Sequence, residues 1–270
     1  MARPNLTFPP LHIVPPTSAN THTVIGIHGR GSDGPDFASE LFEARTALGQ
    51  SLPQHFPTWK WVFPSSQERF STVFQEELDQ WFDIYSLSNP SEREGLQVEG
   101  LRVSVEFVLG LFEDEVQIVG AGRLVLGGIS QGSATSLHAL LAGRYRLGGY
   151  FGISGWMPFK AQMDGVVKDA SKSRLNPHIF EFYQTTLGLE SPGSIPENVA
   201  DLKLQTPMFL CHGVDDEYVD VSLGRQIRTV LERMGMTVTW REYEKCGHWI
   251  KEPEGFDDLV AFLKAIEDQA

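Results

Sequence analysis

A chain of 270 residues, 41% hydrophobic and 21% charged, has the size and composition of one large globular domain with a full core. Its net charge of −13 argues against nucleic acid and against electrostatic docking on anionic membranes. Two cysteines, Cys211 and Cys246, exclude a disulfide framework of the secreted kind.

The N-terminal run MARPNLTFPPLHIVPP is broken by prolines and holds no apolar segment of signal-peptide length. No stretch approaches the length needed to cross a bilayer, so a cytoplasmic protein without stable membrane insertion is expected. Asn5-Leu6-Thr7 is a formal glycosylation sequon that reads as accidental without a secretion signal. From there strand and helix patterns alternate. His22 to His28 reads as a strand, Asp36 to Leu48 as a helix, and Trp59 to Phe63 as a second strand stopped by Pro64. Val98 to Val119 is a long amphipathic helix that feeds a strand at Leu124 to Leu126, and a helix over Ala134 to Leu141 follows. Leu147 to Ile153, Met208 to Cys211 and Thr237 to Tyr243 read as further strands, with helices over Leu223 to Met234 and Phe256 to Ile266. Such alternation implies an α/β fold: a mainly parallel central sheet with helices on both faces. The stretch from Phe159 to Gln205 lacks periodicity and is too long for an ordinary loop. The expectation is a single domain over 1–270 that carries an insertion or cap at about 159–206.

Ligands of such sheets bind beyond the carboxyl ends of the strands, where three segments of interest fall: the turn at Ser130, the loop Cys211 to Asp216 and the loop after Tyr243. The first is Gly128-Ile129-Ser130-Gln131-Gly132, which fits G-x-S-x-G. In that motif small flanking residues let the chain turn sharply from strand to helix, which presents the serine at the helix N-terminus. The pentapeptide alone is weak; the strand before it and the helix after it make it strong. Gly152-Ile153-Ser154-Gly155-Trp156 also follows a strand, but its second glycine is misplaced and no helix pattern follows at once.

A serine needs a base, and the base an orienting acid. His178, His212 and His248 follow Ser130 by more than one helix; His248 lies between the last strand and the last helix, where the base belongs. The acid should follow the penultimate strand, as Asp215 and Asp216 both do. The spacing His212-Gly213-x-x-Asp216-x-x-Val219 favours Asp216 and leaves Asp215 as a capping or solvated carboxylate. Backbone donors for an oxyanion are expected at Gln131, after the serine, and at Arg30 in the loop His28-Gly29-Arg30-Gly31. His28 reads as a structural histidine that braces this loop. Without a C-x-x-C or H-x-x-x-H pairing no metal is expected, and Cys211 and Cys246 read as small buried apolar residues.

Together these segments resemble the phospholipase/carboxylesterase family of α/β-hydrolases, which includes the acyl-protein thioesterases. The resemblance runs through His28 to Gly34, Trp81-Phe82-Asp83-Ile84, Gly128 to Gly132, Ser154 to Pro158, His212 to Val219 and Gly247-His248. It implies the α/β-hydrolase fold, Ser130, Asp216 and His248 as a triad, and Arg30 and Gln131 as oxyanion donors, with no cofactor. It also implies an apolar acyl channel with Trp81, Phe82, Trp156 and Met157 near it, although these side chains read equally as core or rim packing. Arg30 and Ser32 depart from the family pattern, which usually has an apolar residue and an Asp there, and the Phe159 to Gln205 stretch is longer than usual. Phe180, Phe182, Tyr183 and Leu187 of that stretch are candidates to cap the pocket.

The expected activity is hydrolysis of esters or thioesters with an apolar acyl group, on a small molecule or an S-acylated protein. A short-chain carboxylesterase or lysophospholipase without a protein substrate is the alternative. A non-catalytic binding module would be expected to lack a triad residue, and none is missing. A homodimer follows only by analogy with such enzymes.

Overall fold

The structure, a computed structural model of the chain, describes residues 7–169, 175–189 and 201–269. Nine strands are described: β1 (His12–Val14), β2 (His22–Ile27), β3 (Trp59–Phe63), β4 (Gln67–Ser71), β5 (Glu76–Gln80), β6 (Leu124–Ile129), β7 (Gly149–Ile153), β8 (Met208–Gly213) and β9 (Val238–Tyr243). Seven form one sheet in the order β1-β3-β2-β6-β7-β8-β9. β1 pairs antiparallel with β3, and every other pair in this sheet is parallel.

Burial on both faces explains the nearly unbroken apolar runs of β2, β6, β7 and β8. Successive side chains point to opposite faces. Ile25, Leu126, Tyr150 and Leu210 accordingly pack on one side, against α3 (Gln97–Val119), α4 (Gln131–Ala142) and α7 (Val221–Arg233). Val24, Val125, Phe151 and Phe209 pack on the other, against α1 (Gly34–Glu43), α2 (Leu52–His55) and α8 (Glu254–Glu267). All of α4 is buried, because it lies between the sheet and α3.

Register sets the site. Ile27 pairs with Gly128, Gly128 with Gly152, and Ile153 with Cys211, so β2, β6, β7 and β8 end at one level. The loops that follow them open onto the same edge of the sheet.

Several expectations are corrected. The first helix ends at Glu43, not Leu48: the Arg45 guanidinium donates to the carbonyls of Phe42, Glu43 and Ala44, taking up acceptors that a further helical turn would use. Gly49, at φ 72°, then closes a turn on Thr46. A separate hairpin, β4 with β5, was not read from the sequence. Within the aperiodic stretch lie α5 (Lys160–Asp169), α6 (Leu175–Phe182), a π-turn at Tyr183–Leu187 and a 3₁₀ turn at Asp201–Gln205. Phe182, Tyr183 and Leu187 are buried in the α4-side core. They anchor this stretch to the body of the domain.

One anchor is His138 of α4. A carbonyl can only accept, so its Nε2–H donates to Pro158 O at 3.0 Å, and Nδ1 accepts the Tyr183 hydroxyl at 2.9 Å. At the end of β2, His28 donates from Nδ1 to Gly29 O at 2.7 Å and accepts the Ser66 N–H at Nε2. Both imidazoles are neutral and fully used, and burial lowers each from 6.5 to about 4. Between those values the unfolded chain binds protons that the native chain does not. Stability present above pH 6.5 is therefore lost as the pH falls toward 4. Urea denaturation midpoints should decline steadily over that window, and His138→Gln should flatten the decline; a pH-independent midpoint would contradict it.

Candidate active site

Ser130 stands between β6 and α4, as the N-cap of the helix, at φ 54°, ψ −122°, a conformation that strains any residue with a Cβ. The turn is held from both sides: Ser130 N–H donates to Ile153 O at 2.9 Å, and Ala134 N–H donates to Ser130 O at 3.0 Å. Only glycine fits at 132, where a Cβ would stand 2.1 Å from Ile27 O and 2.3 Å from His28 O. At Gly128 it would stand 2.6 Å from the Gly132 carbonyl carbon. The flanking glycines of the motif thus serve close backbone approach.

Gln131 opens α4, so its N–H lacks an intrahelical partner. The loop after β2 lies against this turn: a Cβ on Gly29 would meet Ser130 Cβ at 3.4 Å. Gly31 N–H donates to Asp79 O of β5 at 2.7 Å, which ties the Arg30 loop to the hairpin. The Gln131 side chain is a second tie. Its Oε1 accepts from Trp81 N–H at 2.8 Å and its Nε2 donates to Phe82 O at 2.7 Å, while Trp81 Nε1–H donates to His28 O at 2.9 Å. Trp81 and Phe82 are both fully buried. They brace the two loops from beneath and do not reach the cavity.

The loop after β8 carries both aspartates. Asp216 is buried; its Oδ1 accepts the N–H groups of Tyr218 and Val219 at 2.9 Å each, and its Oδ2 accepts His248 Nδ1–H at 2.7 Å. His212 Nε2 donates to Val219 O at 2.8 Å and lies 3.4 Å from Asp216 Oδ2. Burial pushes the Asp216 carboxyl up, but His212, His248 and the Val219 amide outweigh it and hold the group well below the usual carboxylate range. Asp215 is exposed and accepts the N–H groups of Cys246 and Gly247 at 3.2 and 3.3 Å. It braces the backbone of the His248 loop. Cys211 and Cys246 are free thiols; Cys211 is buried, whereas Cys246, expected to be buried as well, is only half-buried because it sits in the loop that carries His248.

Ser130, Gln131, Arg30 and His248 line one cavity of about 230 Å³, with Ile84, Leu87, Trp156 and Tyr218. Ser130 and His248 share it without a hydrogen bond between them among the described residues. Trp156 also lines a neighbouring cavity of about 350 Å³, where Met157 lies beside Ser88, Glu94 and Lys160. Of the four apolar residues singled out in the sequence, Trp156 therefore reaches the serine's cavity. Ile84, Leu87 and Tyr218 were not anticipated there. Tyr218, 68% exposed, sits with its ring 5.4 Å from that of His248; its position two residues past Asp216 was the available signal. None of Phe180, Phe182, Tyr183 and Leu187 is among the lining residues of either cavity. Among the described residues, no group of three or more His, Cys, Asp or Glu is placed to hold a metal ion. No described helix is long and apolar enough to cross a membrane.

The arrangement can supply a nucleophile, a base with a fixed tautomer and two backbone donors at one edge of the sheet. The family model described as phospholipase/carboxylesterase matches residues 9–178 and 188–267. Acyl-protein thioesterase 1 of Gibberella zeae is 28% identical over 93% of both chains. Its namesake in Yarrowia lipolytica is 29% identical over 94% of this chain and 95% of the relative. Among solved structures, Zea mays acyl-protein thioesterase 2 superposes with a TM-score of 0.69 at 25% identity, covering 95% of this chain and 98% of that one. The unmatched residues between 178 and 188 fall at the end of α6 and in the π-turn.

Proposed function

The chain belongs to the phospholipase/carboxylesterase family, and from that membership we propose that Ser130, His248 and Asp216 form a triad that hydrolyses carboxylic esters or thioesters. The observation that carries this reading is the 2.7 Å hydrogen bond from His248 to the buried Asp216 carboxylate, beside the cavity that holds Ser130 at its strained turn. With Nδ1–H fixed on Asp216, His248 presents Nε2 as the base. Ser130 Oγ attacks the carbonyl carbon and gives its proton to Nε2. The Arg30 and Gln131 amides hold the oxyanion. Collapse of the tetrahedral intermediate expels the alcohol or thiol, which takes the proton from Nε2. Water then enters by the same route and frees the acid. The Ser130–His248 hydrogen bond is one that such enzymes often complete only in the Michaelis complex.

The apolar walls Ile84, Leu87 and Trp156 support an apolar acyl group, and the thioesterase relatives support an S-acylated protein or small thioester as its source. A volume of about 230 Å³ lies below the usual range of drug-sized pockets, about 300–1,000 Å³. That favours, as a second reading, short-chain esters over long ones. In this reading residues 1–270 act as one hydrolase domain.

A fluorophosphonate probe should label wild-type protein at Ser130 and nowhere in Ser130→Ala. Side-by-side turnover of an S-palmitoylated peptide and a 4-nitrophenyl butanoate separates the two substrate readings. No labelling together with no turnover would sink the hydrolase reading.

A further inference from the structure

Arg30 offers more than its amide. It lines the cavity with Ser130 and His248 and is the one cationic side chain among the described residues that line it. Its guanidinium is stacked over the Phe74 ring at 4.9 Å. Phe74, in the turn between β4 and β5, is 51% exposed, so the stack links a cavity-lining side chain to a solvent-facing ring. No hydrogen bond or carboxylate within 4 Å engages that guanidinium among the described residues. Asp83 is the carboxylate whose field reaches it, but Asp83 accepts the backbone and side chain of Thr72. Partial burial works against the charge on Arg30. A half-buried cation held in place by an aromatic face, whose guanidinium donors meet no protein acceptor among the described residues, has the chemistry to recognise an anion.

On the hydrolase reading above, we propose that Arg30 selects substrates bearing a carboxylate within reach of the scissile ester or thioester. The guanidinium fork matches a carboxylate with two parallel hydrogen bonds, and a cavity of about 230 Å³ suits a group of that size. The chain's net charge of −13 repels anions in general, so a preference for an anionic ester has to arise locally. The carboxylate belongs either to the acyl chain or to the leaving group, and the two are separable.

Two matched pairs of chromogenic esters test this. For the acyl side, mono-4-nitrophenyl adipate is compared with 4-nitrophenyl hexanoate. For the leaving group, 3-butanoyloxy-4-nitrobenzoate is compared with 2-nitrophenyl butanoate. In one pair the anionic member should be favoured by about tenfold or more in kcat/KM, equivalent to about 1.4 kcal/mol. That ratio should shrink with added salt and collapse toward one in Arg30→Gln, with partial retention in Arg30→Lys. The pair that responds identifies which side of the substrate carries the anion. Ratios near or below one in both pairs, or a preference that survives Arg30→Gln, would overturn the proposal while turnover of the neutral esters leaves the hydrolase reading standing. Loss of all turnover and of Ser130 labelling would instead take down both.

Discussion

Ser130→Ala is expected to lower kcat on any hydrolysed ester by up to about 10⁶-fold while leaving the fold intact. The magnitude follows from the proposed division of labour. Without Oγ, His248 has no nucleophile to activate, and Asp216 orients an idle base. What remains is binding and the oxyanion donors, so His248→Ala should cost nearly as much, and the double variant little more than either alone. The fold should tolerate the change because Ser130 Oγ makes no hydrogen bond among the described residues. The bonds that hold the turn, to Ile153 O and from Ala134 N–H, are backbone bonds that alanine keeps. A thermal midpoint within about 2 °C of wild type would isolate the chemical role, since about 1 kcal/mol moves the midpoint of a domain this size by roughly 2–4 °C. Equal, small losses in Ser130→Ala and His248→Ala would show that ester turnover runs elsewhere.

What the sequence made legible was chiefly local. The glycines around Ser130 were readable because their constraint is short-range: Gly128 and Gly132 are needed where the turn folds back on the end of β2. The parallel core was readable because β2, β6, β7 and β8, buried on both faces, carry apolar residues almost throughout. The hairpin was not, because QERFS and EELDQ are polar strands with little to bury and show no apolar alternation. α5 escaped notice for a related reason: KAQMDGVVKD is short and largely polar, with a glycine inside. The aromatic residues around the site failed differently. Trp81 and Trp156 have the same chemistry and both flank a motif, and only the fold decides that one is sealed by His28 O and Gln131 while the other reaches the cavity. Packing direction is a tertiary property. No spacing in the sequence encodes it.

Asp216→Asn should cost up to about 10⁴-fold in kcat, and Asp215→Asn far less, although the two carboxylates are adjacent. The reason lies in which atoms each carboxylate uses. Asp216 Oδ1 accepts two backbone N–H groups, from Tyr218 and Val219, and only an oxygen can stand there. An asparagine at 216 must therefore keep its carbonyl oxygen on those amides and turn its NH₂ toward His248. That NH₂ donates where Oδ2 accepted, so His248 Nδ1 has to become an acceptor and its proton moves to Nε2. The imidazole then meets Ser130 with N–H and cannot take a proton. The neighbouring His212 compounds the fault, since its Nε2–H, 3.4 Å from the same position, now faces another donor. Asp215 asks less of its side chain: Oδ1 alone accepts from Cys246 and Gly247, and an asparagine oxygen can accept both. Kinetics of the two variants on one nitrophenyl ester, with the imidazole tautomer of His248 read by ¹⁵N NMR, test the argument. A shift of the His248 proton to Nε2 in Asp216→Asn should accompany the loss of rate. A larger loss in Asp215→Asn would reverse the assignment of the acid, and a wild-type tautomer in an inactive Asp216→Asn would show that the carboxylate acts through its charge on the imidazolium and not by fixing the ring.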